Sequence, residues 1–149
     1  MYPTINDVVA INAKTVELSG GGAVGVLDLG RLESVLDHIQ NDDYYPTMGA
    51  KITHLFFCIA KFHGFRDGNK RTAIAACAHM MLINGYLYCA TPFLREMENV
   101  VVQVADDTID KELLGEIVEA HIAQDTDNEE LKLKIYLAIS AKQPPAQEA

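Results

Sequence analysis

One stretch of this chain gathers residue types able to hold an anion and move a proton: His63-Gly64-Phe65-Arg66-Asp67-Gly68-Asn69-Lys70-Arg71. A helix ends near Phe62 and a new one starts near Asn69. The start of a helix offers free N–H groups and the positive end of its dipole to an anion. Gly68 lets backbone approach a phosphate closely. Lys70 and Arg71 fall in the first turn, where cations oppose the dipole and are unfavourable unless an anion is bound. Asp67 is a hard oxygen ligand suited to a Mg²⁺ that also touches phosphate oxygens. A histidine such as His63 can take a proton from an attacking hydroxyl. The other reading is a plain corner between helices, with Asp67 and Asn69 as turn and cap residues. Residue types alone leave both readings open.

The elements around this loop read as helices. Thr4 with Asp7 forms a capping signal that opens a helix running to about Leu18, and Ser19-Gly20-Gly21-Gly22 stops it. A second helix fits Gly30 to Gln40, with Leu32, Val35, Leu36 and Ile39 on one face. A third spans roughly Thr47 to Phe62. The segment from Asn69 to Asn84 is apolar nearly all round, as expected of the buried centre of a bundle, and Gly85 is its stop. Tyr86 to Ala90 reads as a short extended piece. Further helices are expected over Phe93 to Val104, Lys111 to Ala123 (capped by Asp110) and Glu129 to Ala141. Lys142 to Ala149, with Pro144-Pro145, reads as a frayed tail. The fold class is all-α: a compact single-domain helical bundle with the loop between two central helices.

The whole string from His63 to Arg71 closely resembles the signature of the Fic/Doc superfamily, H-x-F-x-[DE]-G-N-[GK]-R. The Fic branch has Gly at the position of Lys70. The Doc (death-on-curing) branch has Lys followed by Arg-Thr-Ala, as in Lys70-Arg71-Thr72-Ala73. Gly21 to Val26 and Gly30-Arg31-Leu32-Glu33-Ser34 resemble the Doc segments GG-x-x-G and GxLES. Leu82-Ile83-Asn84-Gly85-Tyr86 resembles its Leu- and Asn-Gly-containing helix end. Two positions depart from the pattern: Leu27 stands where an Arg is common, and Gly64 replaces the usual Pro or Ile. The resemblance covers about Ile5 to Ile122. It implies a Fic/Doc domain over residues 1–123 and a C-terminal helical extension with a flexible tail over 124–149.

The resemblance also implies roles. His63 would be the general base and Asp67 the Mg²⁺ ligand, while Gly68, Asn69, Lys70 and Arg71 would grip the ATP phosphates. Phe65 would anchor the loop. Doc-type toxins phosphorylate a threonine of elongation factor Tu, whereas Fic proteins transfer AMP. Doc toxins are silenced by a separate antitoxin chain. The inhibitory motif [ST]-x-x-x-E-[GN] of many Fic proteins is matched in spacing by Thr108–Glu112 and Thr126–Glu130, but Leu follows each, so inhibition is expected from a second chain. The expected activity is therefore transfer of the γ-phosphate of ATP to a Thr or Ser hydroxyl of a target protein. The alternatives are protein AMP transfer and a catalytically silent helical interaction module.

Composition is consistent with these expectations. A net charge of −9 argues against direct binding of nucleic acid, which needs a basic face. Yet Lys61, Arg66, Lys70 and Arg71 cluster around a single acid, Asp67, which suits a small anion such as a nucleotide. Neither a membrane span nor a signal peptide is evident, so a cytoplasmic address is expected. Cys58, Cys77 and Cys89 read as reduced core thiols. Gly20 to Gly25 matches G-x-G-x-x-G literally, but a helix precedes it where a dinucleotide fold needs a strand. His38, His54, His79 and His121 lack metal-ligand spacing. Cys58, one turn after His54, suggests a Cys–His nucleophile but has no third group to orient it.

Overall fold

The computed structural model describes residues 1–142. Seven helices follow one another in it: α1 (Ile5–Leu18), α2 (Leu29–His38), α3 (Met48–Phe62), α4 (Asn69–Ile83), α5 (Leu87–Ala105), α6 (Lys111–Ile122) and α7 (Glu129–Lys142). The capping signals act as their chemistry predicts. The Thr4 hydroxyl accepts from the Asp7 N–H while the Thr4 N–H donates to the Asp7 carboxylate, closing a capping box. Thr47 and Asp110 cap α3 and α6 from one side only, their side chains accepting from the Ala50 N–H and the Leu113 N–H.

Helix α4 is the axis of the bundle and packs against α1, α3 and α5. Its Thr72, Ala73, Ile74, Ala76, Cys77, Ala78, Met80 and Met81 are all buried, which explains why no single apolar face is legible along it. Phe56, Phe65 and Phe93 are fully buried around it, and Phe56 meets Phe93 edge to face at 6.0 Å. Helix α2 packs on α3 and α1, and α6 on α3 and α5. Lys51 is 6% exposed; its ammonium donates to the Ile39 carbonyl and to Asp42, tying the end of α2 to α3. The tail from residue 143 onward lies outside the described residues.

The segment from Tyr86 to Ala90, expected to be extended, is helical from Leu87. Gly85, at φ 87°, ends α4, and the Tyr86 N–H returns to the Met81 carbonyl at 2.8 Å. The chain then re-enters a helix at once, because Cys89, Ala90, Phe93 and Met97 form a buried stripe at helical spacing. Pro92 lies inside that helix and has no N–H to give the Tyr88 carbonyl. The burial of the stripe outweighs that single lost bond.

Helix α7 adds Leu131, Ile135 and Ala138 to the edge of the core but buries no residue fully. Among the described residues there is no strand, only an isolated antiparallel bridge between Val26 and Phe65.

Candidate active site

The loop between α3 and α4 begins with an unusual backbone. His63 caps α3 in the left-handed region, at φ 48° and ψ 48°. For a residue with a Cβ this costs on the order of 1–3 kcal/mol, and such residues concentrate at functional sites. The side chain is exposed, and no described residue hydrogen-bonds its ring. Gly68, the N-cap of α4, is also left-handed, at φ 75°. A Cβ there would lie 3.0 Å from a Val16 methyl and 3.3 Å from the Asn12 amide nitrogen, so only glycine fits.

Three groups hold the loop in shape. Phe65 is 1% exposed and anchors it in the core. The Asn69 amide closes the loop on itself: its oxygen accepts from the Phe65 N–H at 3.1 Å and its nitrogen donates to the Phe65 carbonyl at 3.0 Å. From α1, Asn12, only 2% exposed, donates to the Asp67 carbonyl at 2.8 Å and to the Thr72 hydroxyl at 3.1 Å. Because the carbonyl and N–H of a peptide unit point in opposite directions, that bond turns the Gly68 N–H toward the Asp67 carboxylate, which accepts it at 2.8 Å.

On its outer side the loop meets the segment after α1. The Leu27 N–H donates to the Gly64 carbonyl at 2.8 Å, and the Arg66 N–H to the Gly25 carbonyl at 3.0 Å. Gly64, one of the two departures from the familiar pattern, lies against Leu32, whose branch would come within 2.8 Å of any Cβ at that position. Leu27, the other departure, is exposed.

The result is a cavity of about 500 Å³ lined by both ends of the loop, with His63, Asp67, Gly68, Asn69, Lys70 and Arg71 around it. The first intrahelical bond of α4 runs from the Thr72 N–H to the Gly68 carbonyl, so the N–H groups of Asn69, Lys70 and Arg71 have no partner within the helix. Arg71 donates to the Ser19 hydroxyl, which itself donates to the Thr15 carbonyl at 2.7 Å. Arg66 and Lys70 are exposed, and neither forms an ion pair with a described residue. The arrangement is an anion cradle with one carboxylate and one unengaged imidazole at its rim.

His63, Arg66, Asp67, Gly68, Asn69, Lys70 and Arg71 thus share one cavity, whereas Lys61, counted with the cationic cluster in the sequence, pairs with Asp107 instead. Asn69 differs in manner: its side chain is engaged with Phe65, leaving its backbone N–H to face an anion. Sequence reasoning missed Asn12 and Ser19. Asn12 was detectable as the lone polar residue in the buried α1 stripe Val8, Asn12, Val16. Size alone would select a larger groove of about 770 Å³ between α3, α6 and α7, but its walls carry Glu112, Glu116, Glu119, Asp125 and Glu130. These five acids outnumber its two bases, Lys111 and Lys134, which disfavours a nucleotide phosphate there. Both glutamates of the inhibitory-motif spacing, Glu112 and Glu130, belong to that groove and not to the loop cavity.

The His54–Cys58 pair is no nucleophile. Burial, Lys111 and His38 push the imidazole of His54 down to about 4, and burial pushes the Cys58 thiol up to about 11. Both are neutral at physiological pH, the opposite of an activated thiolate pair.

A left-handed histidine, a glycine-capped helix start and paired cations in its first turn define a Fic-type loop on a helical bundle. The description "Fic/DOC family" matches residues 2–81, more than half of the chain, and the protein belongs to that family. It is 34% identical over 104 residues to a protein named Toxin Doc from Mycolicibacterium smegmatis (strain ATCC 700084 / mc(2)155), covering 64% of this chain and 80% of that one. No solved structure matches it. No described helix is long and apolar enough to cross a membrane.

Proposed function

We propose that this protein is the toxin of a toxin–antitoxin module and transfers the γ-phosphate of ATP to a Thr or Ser hydroxyl of a target protein, with elongation factor Tu as the candidate target. One observation carries the reading: the unengaged His63 ring and the open N-terminus of α4 line the same cavity. The N–H groups of Asn69, Lys70 and Arg71, with the Lys70 and Arg71 side chains, bind the phosphates. His63 removes the proton of the incoming hydroxyl as the new O–P bond forms, and the bond between the β- and γ-phosphates breaks to release ADP. Mg²⁺ commonly uses one carboxylate together with phosphate oxygens, and Asp67 offers one. When bound, the ion would neutralise charge on the phosphates.

Lys70 favours phosphate over AMP transfer. Its side chain occupies space that a glycine would leave open and adds a point charge in the first turn, so the triphosphate lies in another direction. Whichever phosphorus is in line with the activated hydroxyl reacts. Silencing comes from a separate antitoxin chain, since neither internal glutamate of the right spacing reaches the cavity. The cytoplasm, where ATP and translation factors are, is the proposed location. Supplying ATP labelled at the α or the γ phosphorus to the protein and its target tests the reaction. The γ label is expected on protein; the α label there would establish AMP transfer instead.

A further inference from the structure

The twelve Lys and Arg residues of the chain differ in their partners. Lys14, Lys51, Lys61, Lys132 and Lys134 each pair with a carboxylate. Among the described residues Arg66, Lys70 and Arg71, which line the loop cavity, have no such pair. Arg31, Arg95, Lys111 and Lys142 also lack one, and of these Arg31 and Lys111, eighty positions apart, line one further cavity, Lys111 standing also at the edge of the acidic groove. In a protein of net charge −9, two strong bases without acids that face one cavity make it favourable for an anion.

That cavity, of about 300 Å³, lies between α2, α3 and the start of α6. Its nine lining residues include no carboxylate. Val35 and Cys58 form a buried apolar floor, and the rings of Phe57 and Phe62, edge to face at 6.5 Å, form a wall. The Arg31 guanidinium lies 3.9 Å from the centre of the Phe62 ring and donates to no described group. The Lys111 ammonium donates to Nδ1 of His54 at 2.8 Å, which leaves it two further protons. The Tyr45 hydroxyl sits 3.2 Å from the same nitrogen, and its ring stacks on His54 at 4.5 Å. Lys111 is thereby held in place over the cavity.

We propose that this cavity is a second ligand site, taking a single carboxylate carried on an apolar body about the size of a phenyl ring. Arg31 and Lys111 would clamp the carboxylate from two sides, and Phe57, Phe62 and Val35 would cover the apolar part. Such a group is found both in free aromatic acids and at the C-terminus of a polypeptide ending in an aromatic or aliphatic residue. Cys58 is a spectator, because its thiol stays protonated. The site is separate from the loop cavity and does not depend on the transfer reaction.

Nuclear magnetic resonance titration of the full chain tests this with 3-phenylpropionate and its uncharged amide as probes. The acid is expected to bind saturably and shift the ring signals of His38 and His54. It should also raise the titration midpoint of His54 from about 4, since a bound carboxylate offsets the Lys111 charge. Lys111→Met and Arg31→Met should each weaken binding about tenfold, as for loss of one charge-assisted contact. Lys70→Met should leave it unchanged. Arg31 is exposed and Lys111 half-buried, so neither change empties the core. A peptide ending in free phenylalanine that binds more tightly than phenylpropionate identifies a partner's C-terminus as the source; weaker binding identifies a free acid. Absence of saturable shifts, equal binding of the amide, or loss in Lys70→Met but not in Lys111→Met overturns the proposal.

Discussion

Helix α3 carries two histidines nine positions apart whose surroundings could hardly differ more. His54, in the middle of the helix, is half-buried, stacked on Tyr45 and in contact with the ammonium of Lys111, and beside it lies a cysteine. By residue type it is the better catalytic candidate. His63, at the helix end, has no nucleophilic neighbour and no bonded partner. Yet His54 is locked neutral against a protonated thiol, while His63 is turned by its left-handed backbone toward an open helix N-terminus. Chemistry here follows what surrounds an imidazole, and not which reactive groups adjoin it in sequence.

The largest expected effect separates the two directly. His63→Ala should lower transfer by about 10²–10⁴-fold, the usual contribution of a general base, while ATP affinity changes little. His54→Gln should leave transfer within about threefold, since surface and half-buried changes remote from a site act mainly through stability. Turnover and nucleotide affinity measured on both variants check the contrast. A His63 variant retaining more than half its activity would remove that residue from the mechanism.

Next in size is the effect at the acid of the loop. Asp67→Asn should make ATP binding insensitive to Mg²⁺, whereas the wild type is expected to bind more tightly with the ion present. Nucleotide titrations with and without Mg²⁺ read this out. An unchanged metal dependence would place the ion elsewhere.

The smallest effect lies on the His54 side and appears in stability. Its folded-state value of about 4 lies below the 6.5 of an unconstrained imidazole, so the unfolded chain binds the proton more readily. Stability from this group is therefore complete above pH 6.5 and is lost as pH falls toward 4. Discounted for partial exposure, the loss is on the order of 2 kcal/mol. Urea unfolding at pH 7 and pH 4.5 should show a smaller acid loss for His54→Gln than for the wild type. Equal losses would mean that His54 titrates normally.

Local chemistry made much of this molecule legible in advance. Thr4 and Asp110 announce helix starts through short-range bonds, and the string from His63 to Arg71 carries its meaning within one loop. Contacts across long stretches of chain were not legible. The helical state of Leu87 to Ala90 depends on a stripe that continues past Pro92, a residue that reads locally as a boundary. The self-bonded amide of Asn69 depends on the exact curve of the loop. Arg31 and Lys111 look like unrelated surface charges until α2 and α6 both pack on α3.

The grip of Asn12 on the Asp67 carbonyl makes the signature loop a non-portable device. A polypeptide beginning after residue 20 would retain every residue from His63 to Arg71 but would lack the hand that sets the peptide between Asp67 and Gly68. The recognisable string and the working unit therefore have different borders, and the working unit begins with the first helix.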